Sequence, residues 1–176
     1  MLLDGESLTI EDLYGVACLR EKVEIDKSVE PKIERSRKIV KEYGEKEQVA
    51  YGITTGLGEL CNVLIDKGHI DQLQKNLIRS HSAGVGDPFD EKIVRAAILL
   101  RANSLAKGYS GVRYTLLERF ISLLNNNIIP YIPKKGSLGA SGDLAPQAHM
   151  ALVLMGEGEV LRNGRRVPAK QALEKA

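Results

Sequence analysis

The sequence predicts an all-α fold with a few short extended segments. Three observations carry that prediction. Apolar residues recur at helical spacing through most of the chain. Prolines and capping residues stand near the starts of these runs, and a glycine follows the strongest of them. Extended signals are confined to a proline-limited stretch and to a small hairpin pattern near residues 158–168.

Taken in order, Thr9 is placed to cap a first helix through IEDLYGVACLR. Residues 30–43, EPKIERSRKIVKEY, are charged, with Ile33, Ile39, Val40 and Tyr43 as sparse apolar points and Pro31 suited to a helix start. YGITTGLGEL, 51–60, breaks the pattern; three glycines and two threonines make it a loop. IDQLQKNLIRSH, 70–81, places apolar residues at 70, 73, 77 and 78, a helical period. The strongest helical pattern is DPFDEKIVRAAILLRANSLAKG, 87–108, with Pro88 and Asp90 near its start and Gly108 past its end. Another helix is expected over 111–127, turning Val112, Leu116, Leu117, Phe120, Leu123 and Leu124 inward. IIPYIPKKG is extended, because each proline restricts the residue before it. Residues 144–155 form a further helix with Pro146 in its first turn, GEVLRNGRRVPA is a hairpin around Asn163-Gly164, and KQALEKA begins a last helix.

The chain has 176 residues, the size of one domain, and residues 1–176 are read as one unit without internal repeats. A composition 43% hydrophobic and 27% charged argues against disorder. The net charge of +2 is too balanced to point to a nucleic acid or a membrane. With no tryptophan and two phenylalanines, stacking platforms for single strands are not expected. Cys18 and Cys61 fit no metal or redox spacing, which suits a reducing cytoplasm. The start, MLLDGESLTIEDL, acidic after two leucines, does not read as a signal peptide, and the longest apolar run, near MALVLM, is far short of a membrane span.

Three loops rich in Gly, Ser or Thr lie between the helices, at 51–60, 80–88 and 134–143. The last opens GSLGASGDLAPQAHM, residues 136–150. Gly142 has an unhindered backbone nitrogen. If a turn presses it on the Ala140 carbonyl carbon, a five-membered ring can close with loss of water. Loss of the Ser141 hydroxyl as a second water leaves a methylidene group. The result is an electrophile built from the chain itself. Asp143 is placed to move protons and to cap a helix starting at Leu144 or Ala145, whose N-terminus favours negative charge. On these residues alone, a capped loop with no chemistry is an equally open reading, as is a tyrosine at Tyr51 or a helix-terminating His81 with no catalytic role.

The run GSLGASGDLAP closely resembles the signature of the aromatic amino-acid ammonia-lyase and aminomutase family. YGITTGLG resembles that family's tyrosine loop, YGINTGFG or YGVTTGFG, and NLIRSHSAGVGDP resembles the NLxxSHAAGVG segment of its histidine-acting members. NSLAKGYSGVR and IPYIPKKGSLGASGDLAP also follow the family, so the likeness runs from about Leu8 to Ala176. It implies that Ala140, Ser141 and Gly142 form 4-methylideneimidazol-5-one (MIO), with Asp143 assisting cyclisation and no metal or diffusible cofactor. It implies that Tyr51 is the catalytic tyrosine; a phenol used as a base needs a site that favours the phenolate. The pair Ser80-His81 occupies the family's substrate-sorting position, where Ser-His goes with histidine, Phe-Leu with phenylalanine and His-Leu with tyrosine. A neutral imidazole there can exchange a hydrogen bond with a substrate imidazole. Gly56, Gly58, Gly84 and Gly86 would let backbone come close to the site. Asn103 and Arg113 are read as structural, and His69 and His149 as surface and packing residues.

The activity implied is non-oxidative deamination of an aromatic L-amino acid, foremost L-histidine to urocanate and ammonia, in a homo-oligomer or with a complementary C-terminal chain. The alternatives are a tyrosine or phenylalanine 2,3-aminomutase, and an inactive fragment. Two positions depart from the family: Thr54 stands where Asn is frequent in histidine-acting members, and Leu57 replaces a common Phe. Family enzymes are roughly three times longer, and their further asparagine, tyrosine, arginine and glutamate, with the C-terminal helical bundle, are expected to be absent from this chain. Apolar helix faces left by that bundle would then need cover.

Overall fold

Thr9 starts the first helix as expected. In the computed structural model, which describes every residue except Glu47 and Asn163 and only the backbone of Lys67, α1 (Ile10–Cys18) opens on a reciprocal capping box. The Thr9 hydroxyl oxygen accepts the Asp12 N–H at 3.1 Å, and the Asp12 carboxylate accepts the Thr9 N–H at 3.1 Å. Before it, β1 (Leu2–Leu3) pairs in parallel with β2 (Glu24–Ile25), and α2 (Val29–Glu45) follows. The 51–60 segment is a loop closed by a short 3-10 turn at Gly58–Leu60. A second such turn, Lys67–His69, leads into α3 (Ile70–His81).

The axis of the fold is α4 (Glu91–Ala106), which buries Val94, Ile98, Leu99, Ala102, Leu105 and Ala106. α1, α2 and α5 (Tyr114–Asn125) pack against it. Burying side chains of this size stabilises by about 1.5–3 kcal/mol each relative to exposure. The helices α4 and α5 start later than their sequence patterns. α4 begins after Asp90, whose carboxylate accepts the Lys92 N–H at 2.8 Å, because Pro88 belongs to an extended segment instead. α5 begins at Tyr114, because Arg113 is extended (ψ 143°), and it ends at Asn125, ahead of Asn127 with its left-handed φ of 54°.

Arg95 lies inside this core at 1% exposure. Its Nε and Nη2 donate to the Val16 carbonyl at 3.0 and 2.9 Å, and Nη1 donates to the Leu124 carbonyl at 3.2 Å and to Asn127 Oδ1 at 3.1 Å. The guanidinium thus serves carbonyls in the last turns of α1 and α5, where a cation is favoured. Burial pulls its pKa down from the usual arginine range.

The extended segments anchor the remaining layer. β3 (Val85–Pro88) pairs antiparallel with β5 (Pro133–Lys135), so the expected 80–88 loop is in fact the end of α3, a short link and a strand. β4 (Ile129–Pro130), β6 (Glu159–Arg162) and β7 (Arg165–Pro168) form an antiparallel sheet in the order β4-β6-β7. The β6–β7 hairpin is present as expected, with Arg162 opposite Arg165; of its two turn residues, Gly164 has φ 72° and Asn163 lies outside the described residues. α6 (Ala145–Leu154) packs on α3, and α7 (Ala169–Glu174) follows β7. Among the described residues, no helix is long and apolar enough to cross a membrane. The all-α class therefore holds, with strands of two to four residues serving as joints.

Candidate active site

Two of the three glycine-bearing loops come together. α3 delivers one and α6 receives the other, and the β3–β5 pair ties the segments between them. Arg79 of α3 also forms a two-pronged ion pair with Glu157, past the end of α6, at 2.9 Å (Nε–Oε2) and 2.6 Å (Nη2–Oε1). That pairing holds the Glu157 carboxyl below the usual range.

Ser80 and His81 occupy the last positions of α3. His81 Nδ1 lies 2.8 Å from the Leu77 carbonyl and 3.1 Å from Ser80 Oγ, while the Ser80 hydroxyl donates to the same carbonyl at 2.9 Å. A carbonyl only accepts, so Nδ1 carries a proton, and in the neutral ring Nε2 presents a lone pair. Three residues on, the Gly84 N–H donates to Nε2 of His149 on α6 at 3.0 Å. A Cβ on Gly84 would stand 3.0 Å from that nitrogen and 3.2 Å from Pro133 Cβ, so the backbone here packs too closely for a larger residue to enter without a shift. His149 is a partner that sequence reading missed, because a lone histidine in HMALVLM carries no signal beyond helix packing. Gly86 follows in β3, and its carbonyl accepts the Tyr131 hydroxyl at 2.9 Å.

The 136–144 loop is exposed and leads directly into α6. Gly139 and Gly142 exchange backbone hydrogen bonds at 3.2 and 3.0 Å, making Ala140-Ser141 the tip of a tight turn. Gly142 has φ 88°, and nothing lies within 4 Å of where its Cβ would be. Its N–H points to the Gly139 carbonyl, so ring closure onto Ala140 would first release that bond. Asp143 sits behind the turn. Its Oδ1 accepts the Ser137 N–H at 2.9 Å and the Ala145 N–H at 3.2 Å, so it holds the first N–H of α6 from one residue before the cap position, Leu144. Gly136 makes room for it: a Cβ there would fall 2.1 Å from Asp143 Oδ2. Small residues at the tip, open space beside the Gly142 Cα and a fixed carboxylate fit an internally formed MIO group once the Gly142–Gly139 bond is released. Among the described residues, no group of three or more His, Cys, Asp or Glu could hold a metal.

The Tyr51 side chain bonds within its own loop. It is 64% exposed, and its hydroxyl oxygen accepts the Gly58 N–H at 3.2 Å. The bonds that shape its loop run among residues 48–65. The Thr54 hydroxyl donates to the Gln48 carbonyl at 2.6 Å, Gly56 N–H donates to Val63 at 3.1 Å, and Leu60 packs where a Gly56 Cβ would be. Asn103, read as structural, has a buried Oδ1 with no hydrogen-bond partner among the described residues.

The aromatic amino acid lyase family model matches residues 8–176. The chain belongs to the aromatic amino acid lyase family. Among curated members, histidine ammonia-lyase of Streptococcus sanguinis (strain SK36) is 52% identical over 174 residues, covering 99% of this chain and 34% of that protein. Among solved members, tyrosine aminomutase from Streptomyces globisporus superposes with a TM-score of 0.93 at 46% identity, over 99% of this chain and 33% of that one. The ergothioneine-degrading ergothionase from Treponema denticola gives a TM-score of 0.94 at 32% identity, over 99% and 35%. This lyase-family chain therefore spans about a third of the length of the relatives it matches.

Proposed function

We propose that residues 1–176 are the N-terminal, MIO-bearing segment of an ammonia-lyase-like domain, which in its complete assembly converts L-histidine to urocanate and ammonia. The observation that carries the substrate is the pair Ser80-His81 at the end of α3, with Nδ1 committed to Leu77 and Nε2 left as an acceptor. An imidazole N–H of the substrate is the matching donor. The identity to histidine ammonia-lyases supports the same choice.

The MIO group that Ala140, Ser141 and Gly142 would form supplies an electrophile that makes the substrate amine a better leaving group. His81 orients the substrate ring. Tyr51 accepts the β-proton; the C–H electron pair becomes the new carbon–carbon double bond, and the amino group departs as ammonia. Asp143 fixes the loop between Ser137 and Ala145 and, next in sequence to Gly142, is the carboxylate that serves cyclisation. Gly56 and Gly58 shape the tyrosine loop, and Gly84 brings the sorting pair to α6.

Tyr51 has to meet the other two loops for this chemistry, and its surroundings favour assembly. Val49, Leu57, Leu60, Val63 and Leu64 are exposed beside it. A patch of that kind is suited to burial against a further subunit or a complementary chain, and a homo-oligomer is the reading adopted. The two free cysteines suit a cytoplasmic setting. The likeness to tyrosine aminomutase favours one second reading, a 2,3-aminomutase in which ammonia adds back at the β-carbon.

Intact mass and product analysis test these readings. A mass two waters below that of the sequence, with urocanate formed from L-histidine, is expected. β-amino acid from tyrosine or phenylalanine would establish the second reading. An unshifted mass with no turnover would overturn both for this chain.

A further inference from the structure

We propose that His149 is a positioning residue: in its Nδ1–H form it holds the Gly84 link, and through it Ser80-His81, against the helix that carries the Ala140-Ser141-Gly142 turn. The inference rests on the functional reading only in taking Ser80-His81 as substrate-facing. Its geometry stands independently.

The Gly84 N–H can only be met by a lone pair, and the atom that meets it is His149 Nε2, at 3.0 Å. Nε2 is therefore unprotonated and the ring is neutral. Burial acts in the same direction, pushing the His149 imidazole below its ordinary pKa. The link it holds is short. Residues 82–84 join the end of α3, where Ser82 N–H still bonds to Ile78 at 3.1 Å, to β3, where Val85 pairs with Lys135. Between those anchors, the bond to His149 is what crosses from the exit of α3 to α6. The approach is built in, since any side chain at position 84 would meet both the imidazole and Pro133. His149 is four positions along α6 from Ala145, whose N–H is held by Asp143. One rigid helix thus connects the turn, its carboxylate and the support of the sorting pair. His149 touches the Gly84 backbone; it acts on His81 through that backbone.

The test uses the chain itself, uniformly labelled with nitrogen-15. Long-range proton–nitrogen correlations read the His149 tautomer, and amide exchange reads the Gly84 bond. The expected results are a protonated Nδ1, a bare Nε2 and a protected Gly84 amide. H149L should raise Gly84 exchange by roughly tenfold or more and shift the His81 ring signals, while core amides of Ile98 and Leu99 stay protected. H149Q, whose side-chain oxygen can accept the same N–H, should restore most of the protection and the His81 signals; a purely space-filling role would favour Leu over Gln. A protonated Nε2 in the unmutated chain, or Gly84 exchange and His81 signals unmoved in H149L, overturns the proposal. If H149L does not fold, the tautomer and the H149Q comparison decide. A confirmed tautomer and Gly84 bond without histidine turnover in the complete assembly would sink the functional reading and leave this one standing; turnover with a protonated Nε2 would do the reverse.

Discussion

Single atoms set the chemistry around the two joined loops. The Leu77 carbonyl commits His81 Nδ1 as a donor, which leaves Nε2 of the neutral ring as the acceptor. H81L removes that acceptor without adding a charge. In the active assembly it is expected to lower kcat/KM for L-histidine by on the order of 100-fold, because a site that loses the partner of a substrate N–H discriminates strongly. Steady-state urocanate formation checks this, and an unchanged kcat/KM would remove His81 from recognition. Gly136 gives a second residue-scale expectation. G136A drives a Cβ into the Asp143 carboxylate, so Asp143 must leave Ser137 and Ala145. The variant should retain its fold by circular dichroism yet show little or none of the two-water mass loss. Full loss in G136A would mean that the held position of Asp143 does not matter to ring formation.

Helices and strands show what was legible in the sequence and what was not. Thr9, the 70–81 period and the β6–β7 hairpin could be read directly, because capping, spacing and turn chemistry are local. The true starts of α4 and α5 could not. Pro88 suits a helix start as well as a strand, and only the pairing of β3 with β5, forty-odd residues away in sequence, decides for the strand. The family motifs single out Ser80, His81, Tyr51 and the 140–142 turn as candidates, whereas the His149–Gly84 bond spans 65 positions and leaves no local trace. Packing energies belong to this scale. L99A, at a fully buried position of α4, is expected to cost about 2–5 kcal/mol in urea unfolding. T9A, which opens the α1 capping box, should cost about 1 kcal/mol. Equal losses would mean that α4 is not the centre of the core.

For the molecule as a whole, protons couple to stability through His149 and the bonded carboxylates. The folded pKa of His149 lies below its ordinary 6.5. As pH falls, the unfolded chain therefore takes up its proton first. The stabilisation is full above about 6.5 and declines as pH drops through the folded value. Asp4, lowered to about 2 by the Ser7 and Glu6 N–H groups, adds stability that is present above 3.8 and declines toward about 2. Urea midpoints should thus fall between pH 7.5 and 5.5, and H149Q should flatten that part of the curve. A slope unchanged in H149Q would assign it to other groups.

Arg95 has a consequence for how the chain comes apart. One guanidinium closes the ends of two helices that are far apart in sequence, so loosening either end strands the same buried cation. α1 and α5 should accordingly open together, as one kinetic event, rather than fray one after the other. Hydrogen exchange would show their slowest amides sharing a common opening free energy. R95M, which keeps the bulk and drops the shared donors, should split them into two classes, with α1 exchanging first.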